Sequence, residues 1–313
     1  MQRVLITGGA GYIGSILCEH LLAAGHHVTV LDNLRYGPGN LKHLCANPHF
    51  EFHMGDARDF RHVVPLLKRA DVIIPLAALV GAPACEQERR LAWETNHDAV
   101  VALANDSMAS QLIIYPNTNS GYGVSSTDAP CTEDAPLIPI STYGKSKCAA
   151  EKFLLDAHAD HAIVFRLATV FGMSPRMRTD LLVNHFVHKA VTDGYITIYE
   201  PHFKRNYVHV RDVAAGFICA IENAEAMMGR AYNLGLDAAN LSKMELADAI
   251  KAQLPGFHIH YAETGKDPDQ RNYVVSNQRL RDAGFEAQRG IEAGIAELIK
   301  GYRMLGRGQY ANI

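Results

Sequence analysis

Apolar residues in the first half of the chain fall in short runs separated by longer amphipathic stretches. The runs Val4–Thr7, His27–Leu31, Phe50–His53, Val72–Leu76, Leu112–Tyr115 and Ile163–Leu167 are too short for helices and continuous enough for strands buried on both faces. Helical periodicity fills the gaps near Tyr12–Ala24, Arg61–Lys68, Ala92–Ser107 and Tyr143–Ala157. This alternation, at roughly 20–30-residue intervals, predicts a parallel α/β sheet. Past residue 170 the rhythm breaks at Pro175 and the basic stretch Arg176-Met177-Arg178. Helices are expected there at Leu181–Thr192, Val210–Glu222, Lys243–Gln253 and Ile291–Met304. Without a repeat or flexible linker, the reading is a main domain over 1–170 and a smaller lobe over 171–313, some of whose segments return to the main domain.

Composition narrows the class. The chain has 313 residues, 48% hydrophobic and 20% charged, enough for one large core with a lobe packed on it. Its net charge of -3 argues against a nucleic-acid footprint, so an anionic ligand has to be met by local arginines and helix N-termini. No apolar run approaches the ~18 residues needed to cross a bilayer. The start, Met1-Gln2-Arg3-Val4-Leu5-Ile6, runs into a strand without signal-peptide anatomy. The six cysteines are scattered, with no C-x-x-C pair. The expectation is a cytoplasmic protein with reduced thiols, off the membrane. No metal is expected either, because the 16 His form no H-E-x-x-H and no cluster with Cys.

Thr7-Gly8-Gly9-Ala10-Gly11-Tyr12-Ile13-Gly14 joins the first strand to the first helix. Gly8, Gly11 and Gly14 allow a tight turn, close approach of backbone to a pyrophosphate, and close helix–strand packing. The helix that follows points free N–H groups and its positive end at the phosphates. Strand, glycines, helix and second strand in this order predict a Rossmann-type doubly wound sheet binding a dinucleotide. The second strand ends at Asp32. A carboxylate there accepts from both ribose hydroxyls and repels a 2′-phosphate, favouring NAD over NADP. Its alternative is to cap the next turn with Asn33. Asp56, in Gly55-Asp56-Ala57-Arg58, has two roles open to it, meeting the adenine edge or capping the next helix.

Tyr143-Gly144-Lys145-Ser146-Lys147 contains Y-x-x-x-K, and the i, i+4 spacing puts phenol and ammonium on one helix face. A free phenol, with pKa near ~10, is a poor base at neutral pH. A neighbouring ammonium and a positive nicotinamide ring both stabilise phenolate, so the pair reads as a base and its tuner.

With these motifs in place the chain resembles the extended short-chain dehydrogenase/reductases, in particular the NAD-dependent sugar-nucleotide epimerase/dehydratase family. The likeness runs through the T-G-G-A-G-Y-I-G opening, Asp32-Asn33-Leu34, Gly55-Asp56, Leu76-Ala77-Ala78, Tyr122-Gly123, Tyr143-x-x-x-Lys147, and Arg205-Asn206-Tyr207-Val208-His209-Val210-Arg211-Asp212-Val213. The resemblance implies that Thr118 hydrogen-bonds the sugar hydroxyl that Tyr143 deprotonates and that Lys147 holds the nicotinamide ribose. It also implies that Ala57, Leu76, Ala77, Ala78 and Asn96 belong to the cofactor site and that Arg205 pairs with a substrate diphosphate. Arg176, Arg178 and Arg271, the last in Asp267-Pro268-Asp269-Gln270-Arg271, are further candidates for the diphosphate, with surface positions as the alternative.

Departures from the family pattern shape the expected chemistry. The 4,6-dehydratases carry Asp-Glu after the Ser/Thr, where this chain has Asn119 and Ser120, and 3,5-epimerases carry a Cys at the position of Ser120. Oxidation at C4 of the sugar is therefore expected, ending as a ketone or as a C4 epimer, with Asn119 and Ser120 at the substrate. Thr169 stands where 4-epimerases often carry Asn. The runs Tyr115–Gly123, Leu79–Cys85 and Ser174–Arg178 resemble a capsule-sugar branch that includes GDP-heptose 4-dehydrogenases, with Gly81 and Gly121 leaving room for a long sugar or merely relieving the backbone. A homodimer is also implied, paired through the Ala92–Ser107 and Tyr143–Ala157 helices. Leu103, Met108, Phe153 and Leu154 would supply its contacts or fill the protomer's own core.

Overall fold

The structure is a computed structural model, and it describes residues 1–124, 129–264 and 271–305. Strands β1 (Arg3–Thr7), β2 (His27–Asp32), β3 (Phe50–Met54), β4 (Val72–Pro75), β5 (Leu112–Thr118) and β6 (Ala162–Leu167) realise the six apolar runs. Later come β7 (Thr169–Phe171), β8 (Tyr195–Ile198), β9 (Lys204–His209), β10 (Arg230–Leu234), β11 (Asn240–Ser242) and β12 (His258–Tyr261). The main sheet has seven parallel strands in the order β10-β6-β5-β4-β1-β2-β3. The smaller elements form a three-stranded sheet, β11-β9-β7, and the pair β12-β8.

Side-chain alternation on β1 explains the two-faced burial. Val4 and Ile6 enter the core that includes the helices Tyr12–Ala23 and Val210–Glu222, while Leu5 enters the one under Phe60–Leu67, Ala99–Asp106 and Thr142–Ala157. The strand order reverses between β1 and β4, so the loops at their C-terminal ends diverge and open a crevice.

Four features differ from the sequence reading. β3 is an edge strand, and Phe52 is exposed rather than buried. β5 runs on to Thr118, because Pro116, Asn117 and Thr118 pair in register with Phe165, Arg166 and Leu167. β10 is a strand the sequence reading did not place, and it is the returning segment that completes the main sheet beside β6. The helix expected over Ala92–Ser107 starts at Arg89 and carries a π turn at Glu94–Asp98. Leu103 and Leu154 fill the protomer's own core, Phe153 is partly buried against it, and Met108 is exposed. Among the described residues no helix is long and apolar enough to cross a membrane, and no group of three or more His, Cys, Asp or Glu could hold a metal.

Candidate active site

The crevice is a cavity of about 840 Å³ bordered by the glycine loop, the ends of β2, β4 and β5, Tyr143, and residues from beyond 170. Gly8 has φ +76, and a Cβ there would stand 2.5 Å from Ala77 N, so the crossing of the two loops admits only glycine. A Cβ on Gly14 would meet Gly9 O at 2.6 Å, which fixes how closely the helix packs on its strand. The helix is capped by Gly11 with no side-chain acceptor, leaving the first-turn amides of Tyr12, Ile13 and Gly14 without a side-chain cap at the cavity. Such a cradle fits a pyrophosphate. The Tyr12 phenol serves elsewhere: it donates to Gly172 O at 2.7 Å and accepts from Asn184 at 3.1 Å, bracing two distant segments.

Asp32 borders the cavity and already accepts two backbone N–H bonds, from Ala10 at 3.0 Å and Leu34 at 2.7 Å. Asp32 thus caps the turn after β2, and each of its oxygens keeps a second acceptor site. Burial raises its pKa and the two N–H bonds oppose the rise. Asn33 accepts from Arg35 N at 3.1 Å. Asp56 is gripped by Arg58 at 2.8 Å, and the cap of the Phe60–Leu67 helix is Asp59, so the capping alternative for Asp56 falls away. Ala57, Leu76, Ala77 and Ala78 lie along the same wall.

Asn96, fully buried in the π turn, does not reach the cavity. Its amide bonds Leu79 N at 2.8 Å and Leu79 O at 2.9 Å and donates to Ser146 Oγ at 3.2 Å. It ties Leu79, on the cavity wall after β4, to the helix carrying Tyr143, so it is no helix-surface residue and braces the wall from behind. That helix is capped by Ser141, which accepts from Gly144 N, and braced by Glu86, which accepts from Thr142 N at 3.1 Å and Thr142 Oγ1 at 2.5 Å.

Tyr143 is half-buried on the cavity wall, packed near Leu79, Cys85 and Ala92. Lys147, 3% exposed, does not border the cavity, and its Nζ lies 4.1 Å from the centroid of the Tyr115 ring. Burial pushes the Tyr143 phenol up to about 12, against the opposing charges of Arg178 and Arg271. Burial also pulls the Lys147 ammonium down to about 7. The expected depression of the phenol is therefore not a property of the protein alone: desolvation outweighs the nearby cations.

Thr118, at the end of β5, borders the cavity, as does Ser120. Asn119 does not: the 3₁₀ turn Asn119–Tyr122 carries it inward, 1% exposed, so its expected contact with substrate is not made. Gly121 is also off the cavity, since a Cβ there would stand 2.7 Å from Cys148 Sγ, and it leaves no room for a sugar. Gly81 does border the cavity, with open space where a Cβ would be.

Arg176, buried, lies with its guanidinium carbon 4.7 Å from the Tyr36 ring centroid. Arg205, 2% exposed on β9, lies 5.8 Å from the Tyr273 ring and donates to Lys204 O. Arg271 donates to Ser120 Oγ; residues 267–270 of its run lie outside the described residues. With Arg35, Arg58, Arg178 and Lys243 these cations outnumber the described wall carboxylates Asp32, Asp56, Glu86 and Asp180, which suits anionic ligands. Sequence reasoning missed Glu86, His185 and Lys243, which sit on the wall without a motif to mark them.

Residues 4–235 match the family described as NAD dependent epimerase/dehydratase family. The chain is 28% identical to the UDP-glucose 4-epimerase of Lacticaseibacillus casei, over 90% of this chain and 90% of that protein. It is 28% identical to the dTDP-glucose 4,6-dehydratase of Actinoplanes sp., over 96% of this chain and 98% of that protein. The fold matches the Thermus thermophilus UDP-glucose 4-epimerase in complex with NAD at a TM-score of 0.82 and 26% identity, covering 98% of this chain and 100% of that one. A glycine cradle, an acidic residue ending β2 and a Tyr–Lys helix on one crevice agree with these likenesses, and the chain belongs to the NAD dependent epimerase/dehydratase family, an enzyme with NAD as its cofactor.

Proposed function

We propose that the enzyme oxidises a nucleotide-activated sugar at ring C4, with Tyr143 as the base. Bound NAD supplies the hydride acceptor. The first-turn amides of Tyr12, Ile13 and Gly14, with Gly11 giving the close backbone approach, hold its pyrophosphate and Asp32 its ribose, and Lys147 steadies the nicotinamide half. Thr118 hydrogen-bonds the C4 hydroxyl while Tyr143, once ionised, takes its proton. Arg176, Arg205 and Arg271 hold the diphosphate, as the relatives' nucleotide-sugar names suggest.

The observation that carries oxidation over dehydration is the state of the wall carboxylates. Asp32 is held by two amides, Asp56 by Arg58, Glu86 by Thr142 and Arg89, and Asp180 by Arg178. None of these described groups is poised as a carboxylic acid, and Asn119 and Ser120 bring none. Expelling water from C6 calls for an acid held ready at that hydroxyl, and among the described residues no carboxyl group without a partner borders the cavity. Within the class, the Leu79–Cys85 and Ser174–Arg178 runs favour a long sugar such as a GDP-heptose, and the open space beside Gly81 supports it. The UDP-glucose 4-epimerase relatives favour a second reading, in which the ketone is kept and re-reduced to the C4 epimer. Incubating the protein with NAD and a panel of UDP-, dTDP- and GDP-sugars tests the proposal. Reduced-nicotinamide absorbance or a C4 epimer is expected with at least one, and neither with any of them contradicts it.

A further inference from the structure

Two loops anchored on the glycine cradle meet each other through a pair of side chains. The loop after β2 is tied to the cradle by Asn40, whose Nδ2 donates to Ala10 O at 2.9 Å, and by Asp32, which accepts from Ala10 N at 3.0 Å. The segment after β7 is tied to the first turn of the helix that follows the cradle. Tyr12 OH donates to Gly172 O at 2.7 Å, Ser174 Oγ donates to Tyr12 O at 2.7 Å, and the Ser15 and Ser174 hydroxyls lie 2.9 Å apart. The first loop carries Tyr36 and the second Arg176, whose guanidinium carbon stands 4.7 Å from the Tyr36 ring centroid. Both border the same cavity as Gly11, Tyr12 and Ile13. Residues 8–14 carry no charged side chain, so the cradle itself offers a phosphate only backbone amides.

We propose that Arg176, held on Tyr36, binds the pyrophosphate of the cofactor and supplies the side-chain charge of the cradle. This rests on reading the glycine cradle as the pyrophosphate site, and it gives Arg176 a second duty beside the substrate diphosphate. Stacking on a ring occupies the face of a guanidinium and leaves its edge, where five N–H donors lie in one plane. Part of that edge is used within the segment, in a donation to Met177 O. Charge-assisted bonds from such a fork to phosphate oxygens are roughly twice as strong as those from a neutral amide. Tyr36 fixes the guanidinium plane before the cofactor arrives, so less side-chain freedom is lost on binding. Burial, at 7% exposure, and the charge of Arg178 both lower the Arg176 pKa, and an anion at the cradle would offset both.

Calorimetric titration with ADP-ribose, after bound nucleotide is dialysed away, tests this, because ADP-ribose carries the pyrophosphate without nicotinamide or substrate. Arg176→Met should weaken its binding by about tenfold or more and flatten the salt dependence, since one ion pair is gone. Arg176→Lys keeps the charge and loses the fork, and should recover part of the loss. Adenosine has no phosphate, so its affinity, read by competition with ADP-ribose, should be the same in Arg176→Met as in the unmodified protein. Tyr36→Leu should weaken ADP-ribose a few-fold, and that loss should vanish in the Arg176→Met background, because Tyr36 acts through Arg176. Unchanged ADP-ribose affinity in Arg176→Met, or an equal proportional loss for adenosine, overturns the assignment of Arg176 alone. If the unmodified protein binds ADP-ribose no more tightly than adenosine, the pyrophosphate reading of the cradle falls and the inference with it.

Discussion

Lys147 Nζ lies 4.1 Å from the centroid of the Tyr115 ring, so the ammonium rests on an aromatic face beneath the catalytic helix, not in the cavity. Burial lowers its pKa to about 7, whereas an unfolded lysine titrates near ~10.4. Between these values the unfolded chain binds the extra proton, so stability rises with pH across that window. The cost of burying the charge is greatest below pH 7 and fades as pH rises. Lys147→Met should therefore raise the melting temperature more at pH 6 than at pH 9 while abolishing turnover. An equal gain at both pH values would show that the ammonium is not destabilised by burial.

Tyr143→Phe should fold normally and bind NAD, yet lose about 10²–10⁴-fold in rate, the range for removing a general base. Single-turnover kinetics with NAD in excess make the comparison, and near-full activity would assign the base elsewhere.

Asp32→Ala should weaken NAD binding and relax discrimination against NADP, since the repelling carboxylate is gone. It should also cost roughly 1–3 kcal/mol of stability, because the N–H groups of Ala10 and Leu34 lose their acceptor. Titration with both cofactors and chemical denaturation read the two effects separately. Equal affinity of the unmodified protein for NAD and NADP would overturn the first.

Trp93, the single tryptophan, is 38% exposed on the helical stretch beside Thr142–Ala157, edge-on to His97. If the protein pairs through these helices, Trp93, Met108 and the part-buried Phe153 are side chains available for it, Leu103 and Leu154 being spent in the core. Light scattering should then give a dimer mass at micromolar concentration, with Trp93 emission shifting to the red on dilution. A monomer mass and unchanged emission would contradict this pairing.

Much of the scaffold was legible because its signals are local. The six apolar runs and the Gly8–Gly14 cradle each follow from side-chain period and backbone sterics within a few residues, although β3 at the sheet edge is not buried as its run suggested. β10 was not legible, since Arg230–Leu234 is a short run whose partner β6 lies far back in the chain. The same limit applies to the site. Tyr143 and Thr118 were named from motifs, but whether a side chain faces the cavity depends on the turn that carries it. Asn119 is turned inward by the 3₁₀ turn, and Gly121 is packed on Cys148. The contact between Arg271 and Ser120 spans 151 residues and leaves no trace in spacing. Nor does spacing report desolvation, which is why the phenol and ammonium shift in directions that the Y-x-x-x-K pattern does not foretell.

Mass spectrometry of the product from a turned-over nucleotide sugar tests the central claim most directly. Oxidation predicts a loss of about two mass units with one NADH formed, or, for the epimerase reading, no change in mass with inversion at C4. A loss of about eighteen mass units with NAD regenerated would show that water leaves, and would contradict the account built on the engaged carboxylates and on Asn119 and Ser120.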